Sequence, residues 1–227
     1  MKIYIDENKI KKNRKIGQIT TIASLVILAG GLYLSFQPSS GLFSYSFLAL
    51  ILGFILSQVG ISYGNKWGRH PRPDESIDGA LKGLDDKYSL YHYVAPISHL
   101  LVGPSGIWVL LTYSQSGTIS FEKERWHQKG GNFYLKLFAQ EGLGRPDLDI
   151  ASNTSDLKRF INQRLPDIEY PPIHTVLVFT NDKASVETDE FPVPTLPLKK
   201  LKDYIRKAAK ENPIPADQLS PINLLFQ

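Results

Sequence analysis

Cysteine is absent from the 227-residue chain. That removes disulfide staples, a thiolate nucleophile and Cys-ligated zinc from consideration; it suits a reducing compartment and is tolerated in any other. Formal charge is absent from one long interval: from residue 16 to residue 65, fifty residues counted inclusively, there is no Asp, Glu, Lys or Arg. An apolar stretch without an acid or base offers no relay for protons or ions, which argues against a channel or transporter. Acids are scarce over a longer reach still, with Asp6 and Glu7 the only two before Asp74. No sequence repeat is apparent, which argues against solenoid and propeller architectures.

The uncharged interval is strongly interrupted once, by Gln37-Pro38-Ser39-Ser40-Gly41. It divides into residues 16–36 and 42–63, each close to the roughly 20 apolar residues that cross a hydrocarbon core. A signal peptide would account for the first run, but the second follows almost at once and no small-residue cleavage pattern stands out. The expectation is a two-helix transmembrane hairpin over residues 16–65. Lys2, Lys9, Lys11, Lys12, Arg14 and Lys15 precede it, Lys66, Arg69 and Arg72 follow it, and the connecting turn carries no basic residue. Basic flanks stay cytoplasmic, so both termini and the soluble part are expected on that side. Ala49, Gly53 and Ser57 recur every four residues and set small side chains along one helical face. That stripe suits packing against the first span, which carries Gly30 and Gly31, or against another membrane helix.

The basic residues are unevenly placed. After Pro73, 17 Lys and Arg stand against 20 Asp and Glu, so the soluble part is net −3 and the overall +4 comes from segments flanking the membrane. Those segments suit anionic lipid headgroups, whereas a domain that grips a polyanion usually shows a basic face of its own. The one candidate face is Lys199, Lys200, Lys202, Arg206, Lys207 and Lys210, on a helix beginning near Pro197. Leu198, Leu201, Ile205 and Ala208 give that helix a buried stripe, which leaves the basic residues as its solvated or membrane-facing side. Membrane lipids and a protein partner, or a second copy of the chain, are the expected partners; nucleic acid is disfavoured.

Five segments follow from the pattern: a basic N-terminus (1–15), the hairpin (16–65), a linker (66–73), a cytosolic domain (74–210) and a C-terminal tail (211–227). Within the domain, a helix over residues 76–84 leads to a strand over 88–94. Two apolar, β-branched runs then flank Gly103-Pro104-Ser105-Gly106, which reads as a tight turn between two strands. Short strands are expected at 118–121 and 132–137, with Gly130-Gly131-Asn132 as the turn between them. A long helix carries Leu157, Phe160, Ile161 and Leu165 on one side and stops at Pro166. Ile173 to Thr180 reads as a buried strand. The order predicts an α/β fold, a mixed sheet flanked by helices.

The central hairpin carries the functional information. Ser98-His99, an apolar triplet, Gly103-Pro104-Ser105-Gly106, apolar residues and Thr112 resemble the nuclease-related domain (NERD) family, a branch of the restriction-endonuclease-like fold. The resemblance implies an Asp-His pair on the first strand and a Glu-Thr-Lys run on the second, with Asp, Glu and Lys gathered around a divalent metal. Here His99, Gly103, Pro104, Gly106 and Thr112 match, but the Asp position is Ser98, the Glu position is Leu111 and the Lys position is Tyr113. Leucine offers no oxygen, a neutral hydroxyl is a poor ligand for a hard cation, and a phenol does not replace an ammonium at neutral pH. The expectation is a relative without catalytic residues, metal or cofactor.

The resemblance continues more weakly outward. Gly68-Arg69, then Asp74-Glu75 and the stripe Ile77, Ala80, Leu81 and Leu84, resemble the family's opening helix; Glu75 either holds the place of its glutamate or is a first-turn acid suited to the helix dipole. Trp126 and Arg145-Pro146-Asp147-Leu148-Asp149 stand where the family has a Trp and an Asn-Pro-x-x-Gln helix entry. Two functions follow as expectations: a non-catalytic, membrane-anchored binding module or accessory subunit, or a tethered nuclease with chemistry relocated to Glu75, Asp147 or Asp149. His92, His99, His127 and His174 match no ligand spacing and read as structural. Glu122-Lys123-Glu124 reads as alternation at an exposed strand end, and Ser98 and His99, adjacent on a strand, face opposite ways and form no nucleophile–base pair.

Overall fold

A computed structural model describes residues 1–37, 40–131, 142–187 and 190–227. The chain separates into two compact units, one of residues 7–72 and one of residues 1–6 with 73–227.

The first unit is a helical hairpin. Helix α1 (Glu7–Ser35) and helix α2 (Ser40–Tyr63) are both long and apolar enough to cross a membrane. The basic residues Lys9 to Lys15, expected in an N-terminal segment, form the first turns of α1 itself. Small residues let the two backbones approach. A methyl group on Gly53 would lie 2.7 Å from the Leu28 side chain, one on Gly31 would lie 3.0 Å from Ala49, and one on Gly60 would lie 2.5 Å from the Thr21 hydroxyl. The Ser46 hydroxyl donates to the Gly31 carbonyl at 2.7 Å. Ala49 and Gly53 therefore face α1, while the Ser57 hydroxyl bonds the Phe54 carbonyl of its own helix at 2.7 Å, leaving Gly60 to continue the contact. Ile22, Val26, Tyr33, Phe43, Phe47 and Leu48 point outward and are exposed, as lipid-facing residues would be. A π-helical turn, Gly64–Gly68, follows α2 and buries Trp67, so part of the expected linker is ordered.

The second unit is α/β, as predicted. Its main sheet contains β1 (Lys2–Ile5), β2 (Ser89–His92), β3 (His99–Gly103), β4 (Gly106–Tyr113), β7 (Ile173–Phe179) and β9 (Thr195–Pro197), in that spatial order. β2, β3 and β4 run antiparallel in sequence, whereas β1 joins β2, β7 joins β4 and β9 joins β7 in parallel. The turn between β3 and β4 lies where Gly-Pro-Ser-Gly placed it, with Gly103 paired to Gly106 and φ of +107° at Gly106. A smaller sheet holds β5 (Gly117–Glu122), β6 (Arg125–Lys129) and β8 (Ala184–Val186). The partner of β5 is thus Arg125–Lys129, and the turn is Lys123-Glu124 with φ of +49° and +59°, not the glycine pair at 130–131. Positive φ at both central residues is the geometry of a hairpin turn usually announced by Asn-Gly, and Lys-Glu gives no such signal. The strand expected at 132–137 lies outside the described residues.

Helices cover both faces of the main sheet. On one side α3 (Pro73–Leu81) and α5 (Leu201–Glu211) place Ile77, Leu81, Leu201 and Ile205 against Leu90, Leu101, Trp108, Leu110, Val176 and Val178. On the other, α4 (Pro146–Arg164) and α6 (Ala216–Leu225) place Leu157, Ile161, Leu219 and Ile222 against Tyr91, Leu100, Val102, Ile107 and Val109. The basic side of α5 is partly engaged: Lys202 and Arg206 donate to the Lys82 and Gly83 carbonyls at the end of α3.

The segment after residue 211 belongs to this core. Phe226 is 4% exposed and stacks on Phe160 at 5.6 Å, while the Tyr91 phenol donates to the Asn223 side chain at 2.9 Å. Phe226→Ala removes a buried ring and is expected to cost about 3–5 kcal/mol. Chemical denaturation of the full chain in detergent should show that loss; an unchanged midpoint would mean that α6 is not part of the folded core.

Candidate functional site

Alternation along β4 decides where its residues go. Trp108 and Leu110 enter the core under α3 and α5, so Ile107, Val109, Leu111 and Tyr113 face α4. Leu111 is half-buried and packs between the α4 core and a third apolar cluster of Tyr113, Ile119, Leu143, Leu177 and Phe179. Leu100 pairs with Val109, and continuing that register by two residues sets Ser98 across from Leu111. Ser98 lies just before β3, half-buried, its carbonyl accepting the Tyr93 N–H at 2.8 Å. The three positions at which the family resemblance implies Asp, Glu and Lys therefore share one region of one sheet face.

One predicted acid reaches them. Asp149, in the first turn of α4, accepts a hydrogen bond from the Tyr113 phenol at 2.7 Å. Tyr113 is 8% exposed and stacks on Phe179. Burial pushes its phenol well above the ordinary range, and the hydrogen bond to Asp149 and the charges of Asp149 and Asp147 push it the same way. The phenol is therefore a fixed donor at neutral pH. Asp147 lies in the same turn but pairs with Arg145 at 3.2 Å. Glu75 is carried by α3, which packs on the opposite face of the sheet, so the three acids do not gather. Among the described residues no group of three His, Asp or Glu side chains could hold a metal ion.

The divalent metal that the resemblance implies does not fit these side chains. Leu111 supplies no oxygen, and one oxygen of Asp149 is occupied by a phenol.

The histidines are differently placed from their reading as separate structural residues. His92 and His99 are direct partners across the β2–β3 pair, with Nδ1 atoms 2.8 Å apart, and the Asp78 carboxylate lies 3.0 Å from His92 Nε2. The Tyr93 phenol donates to Asp74 at 3.1 Å. His174 stacks on Trp108, where burial lowers its pKa, and His127 is exposed on β6. Asp78 and Tyr93 went unnoticed in the sequence, and Asp74 was read only as the neighbour of Glu75 at the start of a helix. The available signal was the four-residue spacing of the two acids, which puts them on one face of α3.

These features define a mixed α/β sheet flanked by helices, with Ser98, Leu111 and Tyr113 at the positions where the resemblance implies Asp, Glu and Lys. Residues 78–180 match the family model described as Nuclease-related domain, the family whose motif the β3–β4 hairpin resembles. No curated protein and no solved structure matches the chain.

The Tyr113 phenol sets an alkaline limit. An unfolded tyrosine ionises near pH ~10, whereas the folded one keeps its proton, so the contribution is complete below that pH and is lost as pH rises above it. Tyr113→Phe is expected to lower stability at neutral pH by about 1 kcal/mol, the low end because Asp149 is exposed. It should also make the alkaline decline shallower. Urea unfolding of both proteins across the tyrosine range checks this; parallel curves would contradict it.

Proposed function

We propose that the protein is a membrane-anchored, non-hydrolytic nuclease-related module that docks a protein partner or serves as an accessory subunit of a membrane assembly. The observation that carries this reading is the Tyr113–Asp149 hydrogen bond beside Leu111, at the positions where the resemblance implies lysine and glutamate. The groups that would position a cation, an attacking water and a phosphate are replaced by a packed side chain and a phenol held by its own acid. Anchoring is supported by the two apolar helices. Their orientation, with both termini and the soluble unit cytoplasmic, rests on the basic flanks of the hairpin. It agrees with a second feature: residues before and after the hairpin, β1 and β2, pair in one sheet, which requires both ends on the same side.

Two measurements test the reading. The full chain in detergent is incubated with single- and double-stranded DNA and RNA in magnesium or manganese. No cleavage above a no-protein control is expected; cleavage abolished by chelator would instead establish the nuclease with relocated acids. For orientation, the absence of cysteine gives a clean background. Gly41→Cys, where no neighbour lies within 4 Å of the new Cβ, should react with an impermeant maleimide from outside intact cells, and Ser220→Cys only after permeabilisation. The reverse pattern would invert the topology.

A further inference from the structure

The two edges of the main sheet are finished differently. At β9 the Leu177 N–H donates to the Pro194 carbonyl at 2.9 Å, so Pro194 and Leu196 face β7 while Thr195 and Pro197 face outward. Proline has no N–H, which leaves Thr195 as the outward donor of that strand and suits an edge that must not recruit another. At β1 the Lys2 N–H donates to the Tyr88 carbonyl at 2.8 Å and the Asp6 N–H to the His92 carbonyl at 3.0 Å. The even-numbered residues therefore face β2, and Ile3 and Ile5 turn both N–H and C=O away from the sheet. Among the described residues no strand pairs with β1 on that side. Ile3 is 46% exposed, and the strand runs without proline or bulge.

An open edge pairs with a strand that matches it, and β1 matches itself. Antiparallel pairing about Tyr4 sets Ile3 of one copy opposite Ile5 of the other, where the two exchange both hydrogen bonds, and the two-fold axis repeats the exchange. Every outward N–H and C=O of the strand is then used. Tyr4 falls opposite Tyr4 of the second copy as a non-hydrogen-bonded pair. Lys2, the one charged residue of the strand, falls opposite Asp6 and not opposite another lysine. Tyr4 packs with Tyr91 in the core beneath α4 and α6, and Met1 packs in the core beneath α3 and α5, so Ile3 and Ile5 lie on the α3 side. There each Ile3 gains an isoleucine as its cross-strand neighbour. Shifting the register by two residues opposes Ile3 to itself and Ile5 to Met1, or Ile5 to itself and Ile3 to Glu7 of α1. Either shift leaves one outward residue without a strand residue to meet.

We propose that β1 is a self-association edge: two copies of the chain pair their β1 strands antiparallel about Tyr4 and join their main sheets across a two-fold axis. This goes beyond the docking role proposed above and does not depend on it, since it holds whether or not the protein cuts nucleic acid. Anchoring through the helical hairpin raises the local concentration of copies, which lets a short edge suffice.

The absence of cysteine makes the register directly testable. Full-length Lys2→Cys and Asp6→Cys chains carrying different tags are co-expressed, and the isolated membranes are treated with a mild oxidant. Opposite residues of a non-hydrogen-bonded pair have Cα atoms about 4.5 Å apart, within disulfide reach, whereas two copies of either position lie four residues out of register, at least roughly 13 Å apart. The mixed dimer is expected about tenfold above either self-linked dimer. Its absence, a self-linked Lys2→Cys dimer in equal yield, or linkage of Lys2→Cys to a different protein would overturn the proposal. Ile3→Pro deletes an outward N–H that β2 does not use; placed in both chains, it should lower the mixed-dimer yield about tenfold while the far-UV spectrum stays unchanged. An undiminished yield from that folded variant would also overturn it. Should Ile3→Pro not fold, the cysteine pairing decides alone.

Discussion

Everything at the candidate site follows from β4 being buried on both faces. It lies between an antiparallel neighbour on one side and a parallel one on the other, and helices cover it above and below. A strand has a period of two, so its side chains have no freedom to choose a core: Trp108 and Leu110 go one way, Leu111 and Tyr113 the other. Once Gly103-Pro104-Ser105-Gly106 fixes the register with β3, Ser98, Leu111 and Tyr113 are committed to a common face before any long-range contact is made. A one-residue slip would put the Trp108 ring toward α4 and Leu111 under α3, and neither core is shaped for that exchange.

The same sheet constrains how the hairpin is built in. β1 precedes the hairpin and β2 follows it, yet the two pair in parallel over Lys2–Ile5 and Ser89–His92, with Tyr4 stacked on Tyr91 at 5.0 Å. The α/β unit is thus completed by residues from both ends of the helical insertion. Parallel strands need a long crossover, which here runs through the hairpin, α3 and the turn before β2. Two antiparallel helices bring the two ends of the insertion back together and satisfy that need.

Much of this was legible in the sequence, and the parts that were not share a cause. The hairpin turn, α4 with its stop at Pro166, and the buried strand β7 each carry a local signal: special backbone residues, a 3.6-residue stripe, or a continuous β-branched run. β1, β8 and β9 are three or four residues long, too short for periodicity to register. The Lys123-Glu124 turn hides because its left-handed backbone is imposed by the paired strands and not favoured by its side chains. At the site, the substitutions at Ser98, Leu111 and Tyr113 were readable because the resemblance names the positions. The Tyr113–Asp149 bond was not, since residues 36 apart meet only through the placement of α4 on the sheet.

Loss of the ionic groups is also consistent with the energetics of the fold. Two carboxylates and a lysine at these positions would be partly buried charges, tolerable in proportion to the cation and substrate that neutralise them. Leu111 and Tyr113 instead add apolar surface to a continuous core, where a buried side chain of this size contributes about 1.5–3 kcal/mol. The phenol keeps one polar atom, and Asp149 at the α4 N-terminus receives it, where the helix dipole favours a negative charge. A site that must open around a hydrated ion has low local stability by necessity; one closed by Leu111 and Tyr113 has no such requirement and holds α4 at a fixed distance from the sheet.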